Sequence, residues 1–205
     1  MQDTYRTLES GGRVEMKVVD SRFIGEALPV ASKRAAEDAI AAIRIREPKA
    51  THHCTAYRLG ARGDTFRYDD DGEPSGTAGP PILRQIDAEE LTNTLVVVTR
   101  YYGGTKLGTG GLMRAYGDAA SEALDAASII ERILRVPVRL RFAYDDTAPA
   151  EHVLRQFDTT IARQDYTEVT ELTVRVRRSE KDAFEAAFTN ALGGRGEILP
   201  EEERG

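Results

Sequence analysis

The sequence predicts a two-domain α+β protein, with a β-α domain over residues 1–132 and a ferredoxin-like α/β sandwich over 136–205. Two observations carry this. Thr94 to Arg100 is a continuous, β-branched apolar run that ends in a glycine-rich turn and then a helical pattern. Such a run marks a central strand covered on both faces. After Arg135 the pattern restarts as β-α-β-β-α-β within about 65 residues, the split-βαβ arrangement.

Taken in order, residues 13–19 alternate polar and apolar, as in a half-buried strand, and Arg22 to Val30 supplies a partner. Ser32 is placed to cap a helix running to Arg46, with Pro48 beyond it. His52 to Leu59 reads as a strand, with Thr55, Tyr57 and Leu59 on one face and Cys54, Ala56 and Arg58 on the other. Residues 69–81 are dominated by Asp, Gly, Pro and Ser and form a loop. A short helix is expected from Pro81 to Leu91. Another is expected from Leu112 to Arg132, with an inner stripe of Leu112, Ala115, Ala119, Ala123, Ala127 and Ile130. Small side chains there let the helix approach its sheet closely. In the second domain, strands are expected at 136–144, 159–165 and 168–177, with a turn at Tyr166-Thr167. Helices are expected at 149–157, capped by Asp146 or Thr147, and at 180–192, stopped by Gly193-Gly194. A closing strand falls near Ile198.

Composition bounds the function classes. No apolar run approaches the roughly 20 residues that span a bilayer, and the N-terminus has no apolar signal segment, so a cytoplasmic protein without a membrane partner is expected. A single cysteine, Cys54, excludes an internal disulfide. The net charge of −6 argues against a general nucleic-acid coat protein. Its distribution is uneven: from Leu91 to Gly117 there is no acid, only Arg100, Lys106 and Arg114.

That acid-free stretch contains the main candidate site: Arg100, Tyr101, Tyr102, Gly103, Gly104, Lys106, Gly108, Gly110, Gly111 and Arg114. A strand entering a helix through glycines exposes backbone N–H groups, and the helix dipole favours an anion there. The two tyrosines offer faces for base stacking. A tight turn whose glycines permit close packing accounts for the same residues, and the sequence leaves both readings open. The segment is neither a Walker loop nor a dinucleotide fingerprint, since no Gly-Lys-Ser/Thr closes it and Met113 stands where the third glycine belongs.

Arg22, His53, Asp71, Glu73 and Ser75 form a candidate second wall. The acids and hydroxyls of the loop suit acid–base work, but a turn-rich, solvated loop accounts for them more simply. His52, His53 and Cys54 do not make a metal site: alternation along a strand separates His53 from the other two, and His152 lies in the second domain. No metal and no cofactor are expected, and no catalytic residue is assigned.

Together these segments resemble the YigZ/Impact family. The resemblance rests on Ser21-Arg22-Phe23-Ile24, Ala50-Thr51-His52-His53-Cys54-Thr55-Ala56-Tyr57, Asp70 through Gly79, and Val97-Val98-Thr99-Arg100-Tyr101-Tyr102-Gly103-Gly104 continuing through Leu107 to Leu112. It implies an N-terminal domain like the second domain of ribosomal protein S5, and a C-terminal domain like domain V of elongation factor G. It also implies a link to translation, with RNA or a ribosome-associated surface as partner. Sequence-specific DNA binding is not expected, and oligomeric state is left open. Eukaryotic members regulate translation through an additional N-terminal RWD domain. This chain starts almost directly with the shared domain, so that role is not carried over. The alternative is an enzyme or binding protein for a small phosphorylated or peptide ligand, held between the glycine turn and the acidic loop.

Overall fold

The structure, a computed structural model, describes residues 3–166 and 169–200. It divides into two compact units, one spanning Tyr5–Arg132 and the other running from Ile133 onward with Asp3 and Thr4.

The first unit is built on a five-stranded sheet of order β2-β3-β6-β4-β5. These strands are β2 (Gly12–Val18), β3 (Ser21–Pro29), β4 (His52–Leu59), β5 (Thr65–Asp69) and β6 (Thr94–Tyr101), and every adjacent pair is antiparallel. β6 takes the middle place, and all of its residues except Tyr101 are buried. Its unbroken apolar run follows from cover on both faces. Helix α1 (Lys33–Arg46) packs on one face, where Ile43 joins Tyr57, Leu59, Leu95 and Val97. Ser32 Oγ accepts from the Ala35 N–H at 3.2 Å and so caps α1. Helices α2 (Gly79–Ala88) and α3 (Gly108–Asp125) pack on the other face, where Ile82, Ala119 and Tyr116 meet Phe23, Cys54 and Val98. The two faces of β4 therefore carry the two side-chain sets that alternation assigned.

Both ends of α2 and of α3 differ from expectation. α2 begins at Gly79 and ends at Ala88, and Leu91 instead joins a parallel bridge with Arg6. α3 begins at Gly108, so Gly108, Gly110 and Gly111 belong to its first turn and not to the loop before it. It also ends at Asp125, and Ser128–Ile133 forms strand β7, which pairs with β1 (Thr4–Ser10). Ile130 therefore lies in a strand: apolar spacing alone continued the helix, whereas the β-branched content of Ser-Ile-Ile-Glu-Arg-Ile favours extended pairing.

The second unit runs β8 (Arg135–Ala143), α4 (Thr147–Gln156), β9 (Thr160–Tyr166), β10 (Val169–Arg177), α5 (Lys181–Ala191) and β11 (Glu197–Leu199). Its antiparallel sheet has the order β11-β8-β10-β9, the ferredoxin-like arrangement. Val138, Leu140 and Val174 pack with Val153, Phe184 and Phe188 of the two helices. Asp146 stands at the start of α4 without capping it. Its carboxylate accepts from Arg195 at 2.7 Å, which holds its pKa below the ordinary value. Thr167 and the acidic tail beyond Pro200 lie outside the described residues. Among the described residues no helix is long and apolar enough to cross a membrane.

Candidate functional site

The segments singled out by sequence collect at one end of the five-stranded sheet, where β3 and β4 begin and β6 ends. Arg22 stands opposite Tyr101, and His52 opposite Arg100, in the strand register. Because side chains alternate, the end of the sheet carries two polar groups, one on each face.

On the face covered by α2 and α3, Arg100 points inward. Its guanidinium meets Glu73 Oε1 at 2.6 Å, and the two side chains are only 5% and 4% exposed. The sequence grouped Arg100 with displayed positive charge. The structure buries it and pairs it, because the acidic loop folds over the end of β6. Tyr116 Oη donates to the same Glu73 oxygen at 2.8 Å, and Ser21 Oγ accepts from Arg100 at 3.2 Å and lies 3.3 Å from the Gly103 nitrogen. The rings of Phe23 and Tyr102 flank the guanidinium at 5.4 and 5.3 Å. Arg100 Nε is buried without a partner among the described residues. His52 Nδ1 donates to the Asp71 carbonyl at 2.8 Å, which turns Nε2 toward Glu73 at 3.8 Å. Cys54 Sγ donates to the Asp70 carbonyl at 3.0 Å, and burial pushes its thiol pKa far up. Burial does the same to the Tyr116 phenol. The acidic loop and the strand that feeds the glycine turn are thus joined by packed, hydrogen-bonded side chains.

On the α1 face, the Arg22 guanidinium stacks 4.2 Å from the centre of the Tyr101 ring. Tyr101 Oη donates to Glu47 at 2.7 Å, a bond that raises its pKa. Asp71 accepts from the His53 backbone N–H at 2.6 Å and from Arg44 at 2.7 Å. His53 is buried, with Nε2 unpartnered among the described residues, and desolvation, followed by the nearby Arg44 charge, lowers its pKa. Ser75 is exposed on the loop. Among the described residues no group of three or more His, Cys, Asp and Glu side chains is placed to hold a metal ion.

The glycines divide into classes that the sequence did not separate. A Cβ on Gly103 would meet the Asp20 carbonyl oxygen at 1.9 Å, so close packing demands that glycine. Gly104 and Gly108 have φ values of +100° and +70°, a backbone requirement. Gly110 has neither reason: a Cβ there would meet nothing within 4 Å, and its φ is not positive. α3 starts without a side-chain cap and without an acid in its first turn. Its first N–H groups therefore have no partner within the helix. Lys106, Met113 and Arg114 are exposed around this end, and neither basic residue forms an ion pair among the described residues. Tyr102 is 44% exposed, its hydroxyl donating to the Gly104 carbonyl at 2.6 Å. One carboxylate is close by, since Asp20 accepts from Thr105 Oγ1 at 2.7 Å.

Sequence reasoning missed Asp70, Ser21 and Tyr116. The Asp70 carboxylate accepts from the N–H groups of Gly76, Ala78 and Gly79 and so shapes the loop and starts α2. An Asp opening a turn-rich loop was the available signal. Tyr116 lies 43 residues from Glu73, and nothing local announced their bond.

Fold and site together define a two-domain α+β protein with a bolted polar cluster beside an uncapped, glycine-rich helix start. The Impact N-terminal domain model matches residues 19–124, and a domain of unknown function, DUF1949, matches residues 140–195. The chain is 36% identical to IMPACT family member YvyE of Bacillus subtilis (strain 168), covering 97% of this chain and 91% of that one. It is 33% identical to IMPACT family member YigZ of Escherichia coli (strain K12), covering 91% and 93%. A crystal structure described as that of an hypothetical protein superposes with a TM-score of 0.74 at 31% identity, over the whole of both chains. The chain belongs to the IMPACT family.

Proposed function

We propose that this chain is a translation-associated protein that binds RNA, free or on a ribosomal surface, at the start of α3. One observation carries the reading: an uncapped helix N-terminus opens between two unpaired cations, Lys106 and Arg114, and includes a glycine, Gly110, that neither packing nor backbone conformation requires. N–H groups without a helical partner and the positive end of the helix dipole suit a phosphate, and a missing side chain lets it approach the backbone. The exposed ring of Tyr102 gives an adjacent base a stacking surface. The Arg22–Tyr101 stack supports a second contact on the other face of the same sheet end.

The net charge of −6 sets the scale. The attraction is local, so affinity is modest and falls steeply with salt. The experiment is fluorescence anisotropy of a labelled single-stranded RNA with the full chain at low salt. Binding by the parent, and its loss in Lys106→Glu and Arg114→Glu variants that remain folded by circular dichroism, supports the reading. No binding by the parent overturns it.

A further inference from the structure

In the second unit, α4 and α5 both pack on the sheet face that carries Val138, Leu140 and Val174. The opposite face has no covering helix of its own unit among the described residues, and its side chains are sorted by charge. Directly opposite residues share a face, so the strand register sets them in rows across the sheet. One row is mostly acidic, with Glu197, Arg141, Glu171 and Asp165 side by side. The rows beyond it contain no acid. Arg139 and Arg163 flank Thr173 in the next, Arg175 stands between Pro137 and Thr160 in the one after, and Arg135 faces Arg177 in the last.

These arginines are unevenly matched. Arg139 and Arg163 lean back on the acidic row, reaching Glu171 at 4.0 Å and Asp165 at 2.8 Å. Like charges directly opposite each other destabilise a sheet. Arg135 and Arg177 nevertheless stand so, and they share one carboxylate, Asp158, which accepts from them at 2.7 and 3.1 Å. Arg175, the next residue of that face, is exposed and forms no ion pair among the described residues. Three guanidinium groups at neighbouring positions thus meet a single carboxylate, in a chain whose net charge is −6.

We propose that Arg135, Arg175 and Arg177 bind the phosphate backbone of RNA, at a site independent of the start of α3. One phosphate accepts from several guanidinium groups at once and matches their planar fork. The shape of the site selects a polymer. A sheet face without a covering element encloses no small ligand, and a single exposed ion pair contributes too little to hold one, whereas a polyanion repeats the contact and releases counterions. The acidic row then selects among polyanions. It repels an acidic peptide and a DNA strand alike, whereas the 2′-hydroxyl groups of RNA donate hydrogen bonds to carboxylates.

The test combines anisotropy of a labelled oligouridylate, at several salt concentrations, with amide NMR of the full chain. The RNA binds the parent and shifts the signals of Arg135, Arg175 and Arg177. Arg175→Glu, an exposed substitution that breaks no ion pair described here, weakens binding about fivefold and lowers the slope of log affinity against log salt by about one unit. Arg155→Glu makes the same charge change on α4, on the other side of the sheet, and leaves both unchanged. The proposal is overturned if Arg175→Glu matches the parent, if Arg155→Glu weakens binding as much, or if oligothymidylate DNA of the same length binds as tightly as the RNA. Oligoglutamate that shifts the three signals while RNA does not would also overturn it, by making the partner a protein. RNA shifts confined to the start of α3 would overturn this site and leave the proposed function standing. Shifts confined to β8 and β10 would do the reverse, and an RNA that shifts neither overturns both.

Discussion

Glu73 and Arg100 are 27 residues apart in the chain and form an ion pair at 2.6 Å, with both side chains at least 95% buried. This bond ties the acidic loop to the strand that enters the glycine turn. Removing one partner of a buried pair strands the other charge, at a typical cost of about 3–5 kcal/mol. Glu73→Ala should therefore lose stability on that scale in urea denaturation. The double variant Glu73→Ala/Arg100→Ala should lose clearly less than the sum of the two single changes. A loss below about 1 kcal/mol for Glu73→Ala would mean the pair is not the bolt described here.

Two glycines on either side of the start of α3 should respond in opposite directions to the same substitution. Gly103→Ala forces a methyl against the Asp20 carbonyl and should cost about 1–3 kcal/mol or more, as overpacking does. Gly110→Ala meets open space within a helix and should raise stability by up to about 1 kcal/mol. The proposed function adds that the stabilised Gly110→Ala variant binds RNA more weakly, because a methyl covers the backbone the phosphate approaches. Thermal melts and anisotropy on the same preparations separate the two effects.

His53 should make the fold acid-sensitive. Its buried imidazole has a pKa below the ordinary 6.5 because desolvation disfavours its charged form. Between the two values the unfolded chain binds more protons, so stability falls as pH drops through about 6.5 and on toward the folded value. Urea midpoints measured from about pH 7.5 down to about pH 5.5 should show this slope, and His53→Gln should flatten it. An unchanged slope in a folded His53→Gln variant would assign the acid sensitivity to other groups.

What the sequence made legible follows from how local each signal is. Ser32 declares the start of α1 within four residues, and the β-branched run of β6 declares a strand covered on both sides. The β-α-β-β-α-β order was readable because alternation and helical spacing change abruptly between Val136 and Ile198. Strand β7 was missed, since Ile130 continues the apolar spacing of α3 and that spacing outweighed the β-branched content of the segment, which pairs with β1. Strand β5 was not read: Thr-Phe-Arg-Tyr-Asp alternates polar and aromatic residues, but the run is only five residues long and has no buried face. At the site, the motif segments were found, but their roles were not. Arg100 and Lys106 look alike as basic residues in one acid-free stretch, yet long-range contact with Glu73 puts one in the interior and leaves the other in solvent.

The central claim is that the start of α3 holds phosphate, and its most direct measurement is the salt dependence of RNA binding. Anisotropy titrations of the parent, Lys106→Glu and Arg114→Glu are compared at several salt concentrations. The parent's log affinity should fall linearly with log salt, and each substitution should weaken binding and reduce that slope by about one unit. Folded variants that match the parent in both affinity and slope would contradict the account.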